Sequence, residues 1–150
     1  MPFALISTPV LEAPTPLDLH APDGFFSVPV ALLMWVIAIV VIAISVRRVG
    51  DSFDERAIPL MGVTAAFIFA AQMINFPVVG GTSGHLLGAV LAAILLGPWA
   101  GTLVMASVIA VQSLVFQDGG LLAMGANIVN MGLIGTIGGY AIYRSLAHVL

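Results

Sequence analysis

The fold class of this chain is indicated most clearly by one apolar segment, Val28-Pro-Val-Ala-Leu-Leu-Met-Trp-Val-Ile-Ala-Ile-Val-Val-Ile-Ala-Ile-Ser-Val46. It contains no charged residue and ends where Arg47 and Arg48 follow. A hydrocarbon core of about 30 Å takes roughly 20 helical residues to cross. The stretch therefore predicts one membrane-spanning helix.

The composition extends this prediction to the whole chain. Of the 150 residues, 61% are hydrophobic and only 7% are charged, and the mean hydropathy is +1.17. Too little polar surface remains to cover a soluble globule, so we predict an integral membrane protein. Cysteine is absent, which leaves nitrogen and oxygen as the ligands for any metal. The formal net charge of −3 rests on few groups and does not indicate a nucleic-acid partner.

Further apolar runs predict four more membrane helices. The run from His85 to Phe116 is too long for one crossing, and Pro98 divides it because proline removes a backbone donor. The predicted spans after the first cover Ile58 to Phe76, about 86 to 96, 99 to 116, and Leu121 to Tyr143. The expected fold is all-α, a polytopic membrane helix bundle of about five transmembrane helices.

The few cations predict the orientation of these helices. Arg47, Arg48 and Arg56 follow the first span, and Arg144 follows the fifth. Cations favour the cytoplasmic side of a membrane. The amino terminus is therefore expected outside, in a multi-pass protein of the cell membrane (inner or plasma membrane).

The expected organisation has two parts. Residues 1–26 form a proline-rich leader and amino-terminal segment, and residues 27–150 form the transmembrane helical domain. The predicted orientation places His20 of the first part and His85, after the second span, on the same outer side. By residue type alone they are a loop residue and an interfacial helix-start residue, since imidazole suits the boundary between membrane and water. Imidazole is also a common metal ligand, so a metal site at the outer surface is the second interpretation.

Small residues recur every four positions in three regions of the predicted helices. The repeats are Gly62, Ala66 and Ala70; Ala93, Gly97 and Gly101; and Gly135 with Gly139. Small residues at this spacing let helix backbones approach closely, so we predict a tightly packed bundle.

The predicted spans contain no Asp, Glu, Lys, Arg or His. Proton-coupled pumps depend on such groups inside the membrane, which argues against a self-contained proton antiporter. The chain also lacks the G-x-x-x-x-G-K-[ST] loop that binds ATP phosphates and the H-E-x-x-H and G-x-S-x-G patterns of hydrolases. No catalytic residue is predicted, and uphill transport would take its energy from another subunit.

Amide side chains stand out in two of the spans. Gln72 and Asn75 lie near the outer end of the second, and Asn127 and Asn130 lie in the outer third of the fifth. One interpretation is hydrogen bonding between helices, worth under about 1 kcal/mol each on average. The other is support of a ligating histidine or a loop, and the two can coexist. Asp118, in an Asp-Gly-Gly context, is predicted to be a turn residue only.

Five segments, in one order along the chain, match the pattern of a known family. They are His20-Ala-Pro-Asp-Gly-Phe-Phe26, Gln72-Met-Ile-Asn-Phe-Pro-Val-Val-Gly-Gly-Thr-Ser-Gly-His85, Leu96-Gly-Pro-Trp99, Asp118-Gly-Gly120 and Gly125-Ala-Asn-Ile-Val-Asn-Met-Gly132. Together they resemble the CbiM/NikM family, the substrate-binding components of energy-coupling-factor transporters for cobalt and nickel. The resemblance covers about residues 19 to 145.

The resemblance implies a metal site at the outer face. In the family, the terminal amine, the second residue's amide nitrogen and its imidazole bind the metal, and a histidine of the Gly-Gly-Thr-Ser-Gly-His loop adds a fourth nitrogen. Carried over, His20 and His85 are the ligands, with the backbone amine of Leu19 if the mature chain starts there. Fused chelate rings of this kind favour a planar nitrogen site, which suits Ni²⁺. The loop and supporting residues are predicted to be Gln72, Asn75, Thr82, Ser83, Asn127 and Asn130.

Eighteen residues precede Leu19 in this chain, whereas the family's mature chain begins at the corresponding position. Three hypotheses account for them: a mis-assigned start at a leucine codon, proteolytic removal of the leader, or a rebuilt site in which water or a carbonyl replaces the amine. Family members usually carry one or two further helices after the fifth span. The transmembrane domain is therefore expected to be truncated or completed by a separate chain.

The function implied by the resemblance is that of a metal-binding component in an ATP-driven transporter importing cobalt or nickel, for cobalamin biosynthesis or for metalloenzymes. The implied partners are a transmembrane coupling subunit, cytoplasmic ATPase subunits and a small auxiliary membrane subunit. Co²⁺ or Ni²⁺ is bound as the transported substrate, and no prosthetic group is expected. The alternative is a truncated or structural membrane subunit that keeps the fold without completing metal transport, and an enzyme is a distant third.

Overall fold

The computed structural model describes residues 20–51, 57–78 and 82–148. Most of this part of the chain is helical, and a short hairpin interrupts it. The elements are α1 (Val28–Gly50), α2 (Ala57–Gln72), β1 (Phe76–Val78), β2 (Thr82–Gly84), α3 (Ala89–Leu96), α4 (Pro98–Val115), α5 (Met124–Asn127), a π-helix (Ile128–Gly138) and α6 (Gly139–Ala147). The leader through Leu19 lies outside the described residues, so the expectations for it remain predictions.

Helix α1 is longer than its apolar run predicts. Ser27 is its N-cap in an extended conformation, and Pro29 lies in the first turn, where proline costs no intrahelical hydrogen bond. The helix continues through Arg47 and Arg48 beyond the predicted end at Val46, because arginine is a good helix former. The two arginines therefore end the apolar stretch but not the helix.

Helix α2 ends earlier than predicted, at Gln72 rather than at Phe76. Pro77 disfavours a helical backbone at the residue before it, and Phe76 instead opens strand β1, which pairs antiparallel with β2. Asn75 consequently lies beyond the helix, which corrects its predicted place in the second span. Between α2 and α3, strand β1 (Phe76–Val78) and strand β2 (Thr82–Gly84) form a hairpin. The described part of the chain is therefore mostly helical rather than entirely helical.

The predicted division at Pro98 is confirmed. Gly97 adopts a φ of +84°, a left-handed conformation that glycine tolerates, and Pro98 then begins α4. Helix α3 is only 8 residues long, which is short for a full crossing because roughly 20 residues are needed.

The last helical segment changes type twice, from α5 through the π-helix to α6, while its backbone angles stay helical at both junctions. It begins after a turn at 121–123 and ends at Ala147, so it starts and ends later than the predicted span from Leu121 to Tyr143. A π-helix is rare and frequently occurs at functional sites. Here it begins directly after Asn127, one of the predicted supporting residues.

Helix α4 is the centre of the bundle. It packs against α1, α2, α3 and the π-helix, and 56% of its apolar stretch is buried, against 22% for α1. One core cluster includes Ile109 of α4 and Ile128 of the last helical segment. A second includes Met105 of α4 and Ile68 of α2. Both halves of the chain are therefore built around one helix.

The small-residue repeats differ in what they pack against. A Cβ added to Gly101 would lie 2.9 Å from the backbone nitrogen of Ala93, so α3 and α4 are as close as predicted. The repeat in α2 is different: a Cβ on Gly62 would meet nothing within 4 Å, and Ala66 and Ala70 are exposed. The prediction of tight packing is therefore wrong for this helix face within the described part of the chain.

Two of the described helices, α1 and α4, are long and apolar enough to cross a membrane, judged by length and composition, and α2 is a shorter apolar helix of 16 residues. The outward face of α1 carries large apolar side chains that are each more than half exposed. They include Leu32, Leu33, Val36, Ile39 and Val40. An apolar surface of this extent suits a lipid environment and would be unusual in water.

Candidate metal centre

The structure brings His20 and His85 together. Their ring centroids lie 6.0 Å apart, and the ring planes are inclined by 47°. His20 precedes α1 and His85 directly follows β2, so the contact joins two separate connecting segments. The side chain of His20 is fully buried, whereas His85 is partly exposed.

Both imidazole rings have nitrogen atoms that could bind a cation. Nδ1 of His85 lies 2.9 Å from the carbonyl oxygen of Leu86. Because a carbonyl only accepts, this hydrogen bond places the proton on Nδ1 and leaves the lone pair on Nε2. Within the described residues, neither ring nitrogen of His20 makes a hydrogen bond. The pair can therefore offer nitrogen lone pairs to a cation.

Asp118 contacts His20. Its Oδ2 lies 3.2 Å from Nδ1 of the imidazole, close enough for electrostatic attraction. The backbone N–H of Asp118 donates to the carbonyl of Gln112 at 3.1 Å, and the Ser113 hydroxyl donates to the Asp118 carbonyl at 3.4 Å. The prediction that Asp118 is only a turn residue is wrong, because the turn carries its carboxylate to the histidine. A carboxylate at this distance favours positive charge beside the imidazole, including that of a bound cation.

Asn127 holds the backbone next to His20. The N–H of Ala21 donates to Oδ1 of Asn127, and Nδ2 of Asn127 donates to the carbonyl of Ala21, each at 3.2 Å. The N–H of Gly120 donates to the same carbonyl at 3.1 Å. These bonds fasten the segment that carries His20 to the start of the last helical segment.

Asp23 fastens the same segment two residues further on. Its carboxylate accepts hydrogen bonds from the N–H groups of Leu121, Leu122 and Ala123, at 3.1, 2.8 and 3.0 Å. These N–H groups precede a helix, where backbone donors lack partners and the helix dipole favours negative charge. Sequence reasoning assigned Asp23 no role, because its partners lie far away along the chain.

Two glycines allow the segment that carries His20 and Asp23 to lie against the Asp-Gly-Gly turn. Gly119 has a φ of +90°, and a Cβ there would lie 2.7 Å from Cβ of His20. A Cβ on Gly120 would overlap the carboxylate of Asp23. The Asp-Gly-Gly turn is therefore shaped to the amino-terminal segment that lies against it.

Gln72 supports the His85 side of the pair. Its side chain is fully buried, and its Nε2 donates to the carbonyl of Leu87 at 2.8 Å. Gln112 of α4, also fully buried, donates from Nε2 to Oε1 of Gln72 at 2.9 Å. Sequence reasoning missed Gln112, although an amide inside an otherwise apolar span was an available signal.

The remaining predicted site residues are Asn75, Thr82, Ser83, Asn130 and Leu19. Asn130 is exposed and lines the cavity beside both rings. Asn75 is exposed and is not among the described residues that line this cavity. Thr82 and Ser83 lie in β2, and Leu19 lies outside the described residues.

A cavity of about 470 Å³ adjoins the two histidines. Its wall is mostly apolar and includes Phe26, Met34 and Met131 besides the amides of Asn127 and Asn130. An apolar wall with few polar groups limits the places where a cation can be bound. The imidazole nitrogens of His20 and His85 are therefore the groups in this wall that best suit a transition-metal ion.

Side chains alone do not complete a metal site here. Across residues 20–51, 57–78 and 82–148, no group of three or more His, Asp or Glu side chains is arranged to hold a metal ion. Two imidazoles would need further donors from the backbone or from water to fill a coordination sphere. Backbone nitrogen donors are what the family resemblance implies.

Residues 20–150 match the family model of CbiM, described as the cobalt uptake substrate-specific transmembrane region. The match begins at His20 and includes every described residue of the candidate metal centre. It therefore covers both the helical bundle and the segment docked on it.

Known proteins show the same similarity in sequence and in structure. A putative fused nickel transport protein NikMN of Archaeoglobus fulgidus is 45% identical over 85% of this chain and 42% of its own length. A putative metal transport protein of Haloquadratum walsbyi is 43% identical over 87% of this chain and 60% of its own length. A crystal structure of a truncated transition metal transporter matches with a TM-score of 0.81 and 38% identity, over 87% of this chain and 61% of that one. The chain thus spans about half the length of the curated relatives it matches.

Proposed function

This chain belongs to the CbiM family of cobalt-uptake transmembrane proteins, and we propose that it is the metal-binding membrane component of an ATP-driven energy-coupling-factor transporter for Co²⁺ or Ni²⁺. The observation that carries the proposal is the contact between His20 and His85, with ring centroids 6.0 Å apart. The two residues come from separate connecting segments, so the fold has to bring them together. Both rings keep nitrogen atoms available for a cation.

The proposed ligands are the imidazoles of His20 and His85, with Nε2 as the donor of His85. The backbone nitrogen of His20 is a third donor, and the amine of Leu19 is the fourth where the mature chain starts at that residue. An amine, an amide nitrogen and an imidazole form fused chelate rings, and nitrogen sites of this planar kind suit Ni²⁺. The metal ion is the transported substrate rather than a resident cofactor.

Supporting roles are proposed for the polar residues around the ligands. Asn127 keeps the backbone beside His20 in place through its two hydrogen bonds to Ala21. Gln72 keeps the backbone that follows His85 in place through its hydrogen bond to the carbonyl of Leu87. The other members of the proposed set are Asn75, Thr82, Ser83 and Asn130.

The proposed topology has about five crossings with the amino terminus outside. Helix α1 leads from the histidine end of the bundle to Arg47 and Arg48 at its other end. The guanidinium of Arg48 lies 5.4 Å from the ring centroid of Trp99, at the junction of α3 and α4. This end would face the cytoplasm because arginine favours that side. The proposed organisation has two parts, a metal-binding amino-terminal segment within residues 1–26 and a transmembrane helical domain over residues 27–150.

The proposed partners are a transmembrane coupling subunit, cytoplasmic ATPase subunits and a small auxiliary membrane subunit. They follow from the family resemblance, and the name of the relative in Archaeoglobus fulgidus describes a fused transport protein. In this assembly the chain would bind the ion and its partners would hydrolyse ATP. The chain itself would act as a transporter subunit and not as an enzyme.

Metal titration of the purified chain in detergent tests the proposal. We expect Ni²⁺ and Co²⁺ to bind the wild-type chain or a version that starts with methionine at residue 19, and we expect His85→Ala to abolish binding. His148→Ala is the matched control, because His148 is exposed and follows the last helix at Ala147. Absence of binding by both versions, or equal loss in the two histidine variants, would contradict the proposed site.

The second candidate function is a structural membrane subunit that keeps the fold without completing transport. Metal uptake by cells that carry the chain together with coupling and ATPase subunits separates the two. ATP-dependent uptake that His85→Ala removes supports transport, whereas metal binding without uptake supports the structural role.

A further inference from the structure

We propose that Gln112 is a positioning residue that sets, through Gln72, the separation between the His85 side and the His20 side of the metal centre. The inference rests on the proposed function and adds to it a residue that no sequence motif contains. Gln112 lies in α4 and touches neither histidine by any contact described above. It would act only through the elements that it joins.

A directed chain of hydrogen bonds runs from Leu87 to Gln112. The Leu87 carbonyl can only accept, so Gln72 must present Nε2 to it, at 2.8 Å. Oε1 of Gln72 is then left to accept, and Nε2 of Gln112 donates to it at 2.9 Å. Both amide orientations are therefore fixed by one backbone carbonyl, which lies two residues beyond His85 in the chain.

The same part of α4 carries the other half of the centre. The carbonyl of Gln112 accepts from the N–H of Phe116 and from the N–H of Asp118, both at 3.1 Å. Asp118 in turn places Oδ2 3.2 Å from Nδ1 of His20. The side chain of Gln112 is thus linked through Gln72 to Leu87, which follows His85 in the chain. Its backbone carbonyl is linked to Asp118, which contacts His20.

A purely structural role explains Gln112 poorly. Its side chain is fully buried, yet its Oε1 has no hydrogen-bond partner within the described residues. A buried acceptor without a partner destabilises a fold. Replacing both glutamines by apolar side chains of similar shape would therefore cost the packing between α2 and α4 little or nothing. The amide pair is better explained by the distance that it fixes between α4 and the Leu87 carbonyl.

The chain supplies a matched control for this pair. Thr102 and Thr136 also form a buried side-chain hydrogen bond between α4 and another helix, at 2.7 Å. Thr102 lies ten residues before Gln112 on α4, which is about 15 Å along a helix that rises about 1.5 Å per residue. Thr102→Val with Thr136→Val therefore removes a comparable buried interaction about 15 Å along α4 from Gln112.

The test compares Gln72→Met/Gln112→Met, and Gln112→Met alone, with the threonine double variant. Ni²⁺ and Co²⁺ affinity, the visible absorption spectrum of bound Co²⁺ and the thermal unfolding temperature are measured on each purified chain. We expect both glutamine variants to bind metal about tenfold more weakly, as for residues that orient ligands, and to change the Co²⁺ spectrum. The threonine variant should keep the wild-type affinity and spectrum.

Two results would overturn the inference. One is wild-type affinity and spectrum in Gln112→Met, and the other is the same affinity loss in the threonine variant as in the glutamine variants. If the wild-type chain itself binds neither Ni²⁺ nor Co²⁺, the proposed function fails, and the positioning role fails with it. Should the double variant not fold, Gln112→Met alone decides, because it breaks the same side-chain link.

Discussion

Oδ2 of Asp118 lies 3.2 Å from Nδ1 of His20, although the two residues are far apart in the sequence. The side chain of His20 is fully buried and that of Asp118 is 14% exposed. Water therefore screens the attraction between them less than it would at an open surface. A divalent cation held by His20 would gain a negative charge close by, which neither histidine can supply.

Replacing Asp118 by asparagine should weaken metal binding. The variant keeps the shape of the side chain but removes the negative charge beside His20, so we expect Ni²⁺ affinity to fall about tenfold. Isothermal titration of the purified chain measures the change. Asp51→Asn is the control, since Asp51 is an exposed carboxylate just after α1. Equal affinities of the wild-type chain and Asp118→Asn would show that the contact has no role in binding.

Replacing Asp23 by alanine should loosen the amino-terminal segment. The three N–H groups at Leu121, Leu122 and Ala123 would lose their acceptor, and loss of a helix cap costs about 1 kcal/mol. We expect a lower thermal unfolding temperature together with weaker metal binding, because His20 lies in the same segment. Limited proteolysis of this segment should also become faster. Unchanged proteolysis and affinity would count against the docking role.

Replacing Gly119 by alanine should displace His20. The added Cβ would lie 2.7 Å from Cβ of His20, and the φ of +90° is unfavourable for alanine. Gly24→Ala is a matched control, since Gly24 has the same φ of +90° but nothing within 4 Å of an added Cβ. We expect both variants to be less stable and only Gly119→Ala to lose most of its metal affinity. Similar affinities in the two variants would mean that backbone strain, not contact with His20, determines the effect.

Replacing Asn127 by alanine should cost more metal affinity than the same change at Asn130. Asn127 makes two hydrogen bonds to the backbone of Ala21, whereas Asn130 is exposed at the wall of the cavity. We expect about a tenfold loss for Asn127→Ala and a smaller loss for Asn130→Ala, by metal titration. The opposite order would indicate that Asn130 contacts the ion or its water and that Asn127 is structural.

Part of the candidate centre could be predicted because local patterns encode it. The histidine of the glycine-rich segment and the one before the first apolar run were selected by the order of motifs, and the structure places their rings side by side. Asn127 was selected as a polar residue in an apolar span, and it contacts Ala21. Asp118 was predicted to be a turn residue, because its Asp-Gly-Gly context explains the turn and says nothing about His20. Gln112 carries the same signal, an amide inside an apolar span, but no local pattern links it to His85, because its partner Gln72 lies in another helix.

Composition, run length and the backbone limits of glycine and proline were enough to predict the membrane character, the long apolar helices and the break at Gly97 and Pro98. The exposure of the small-residue face of α2 and the capping of the last helical segment by Asp23 could be read only from the packed structure. The physical reason is that each of these depends on contacts between residues far apart in the chain. Such contacts exist only after helices have packed, so no local pattern records them.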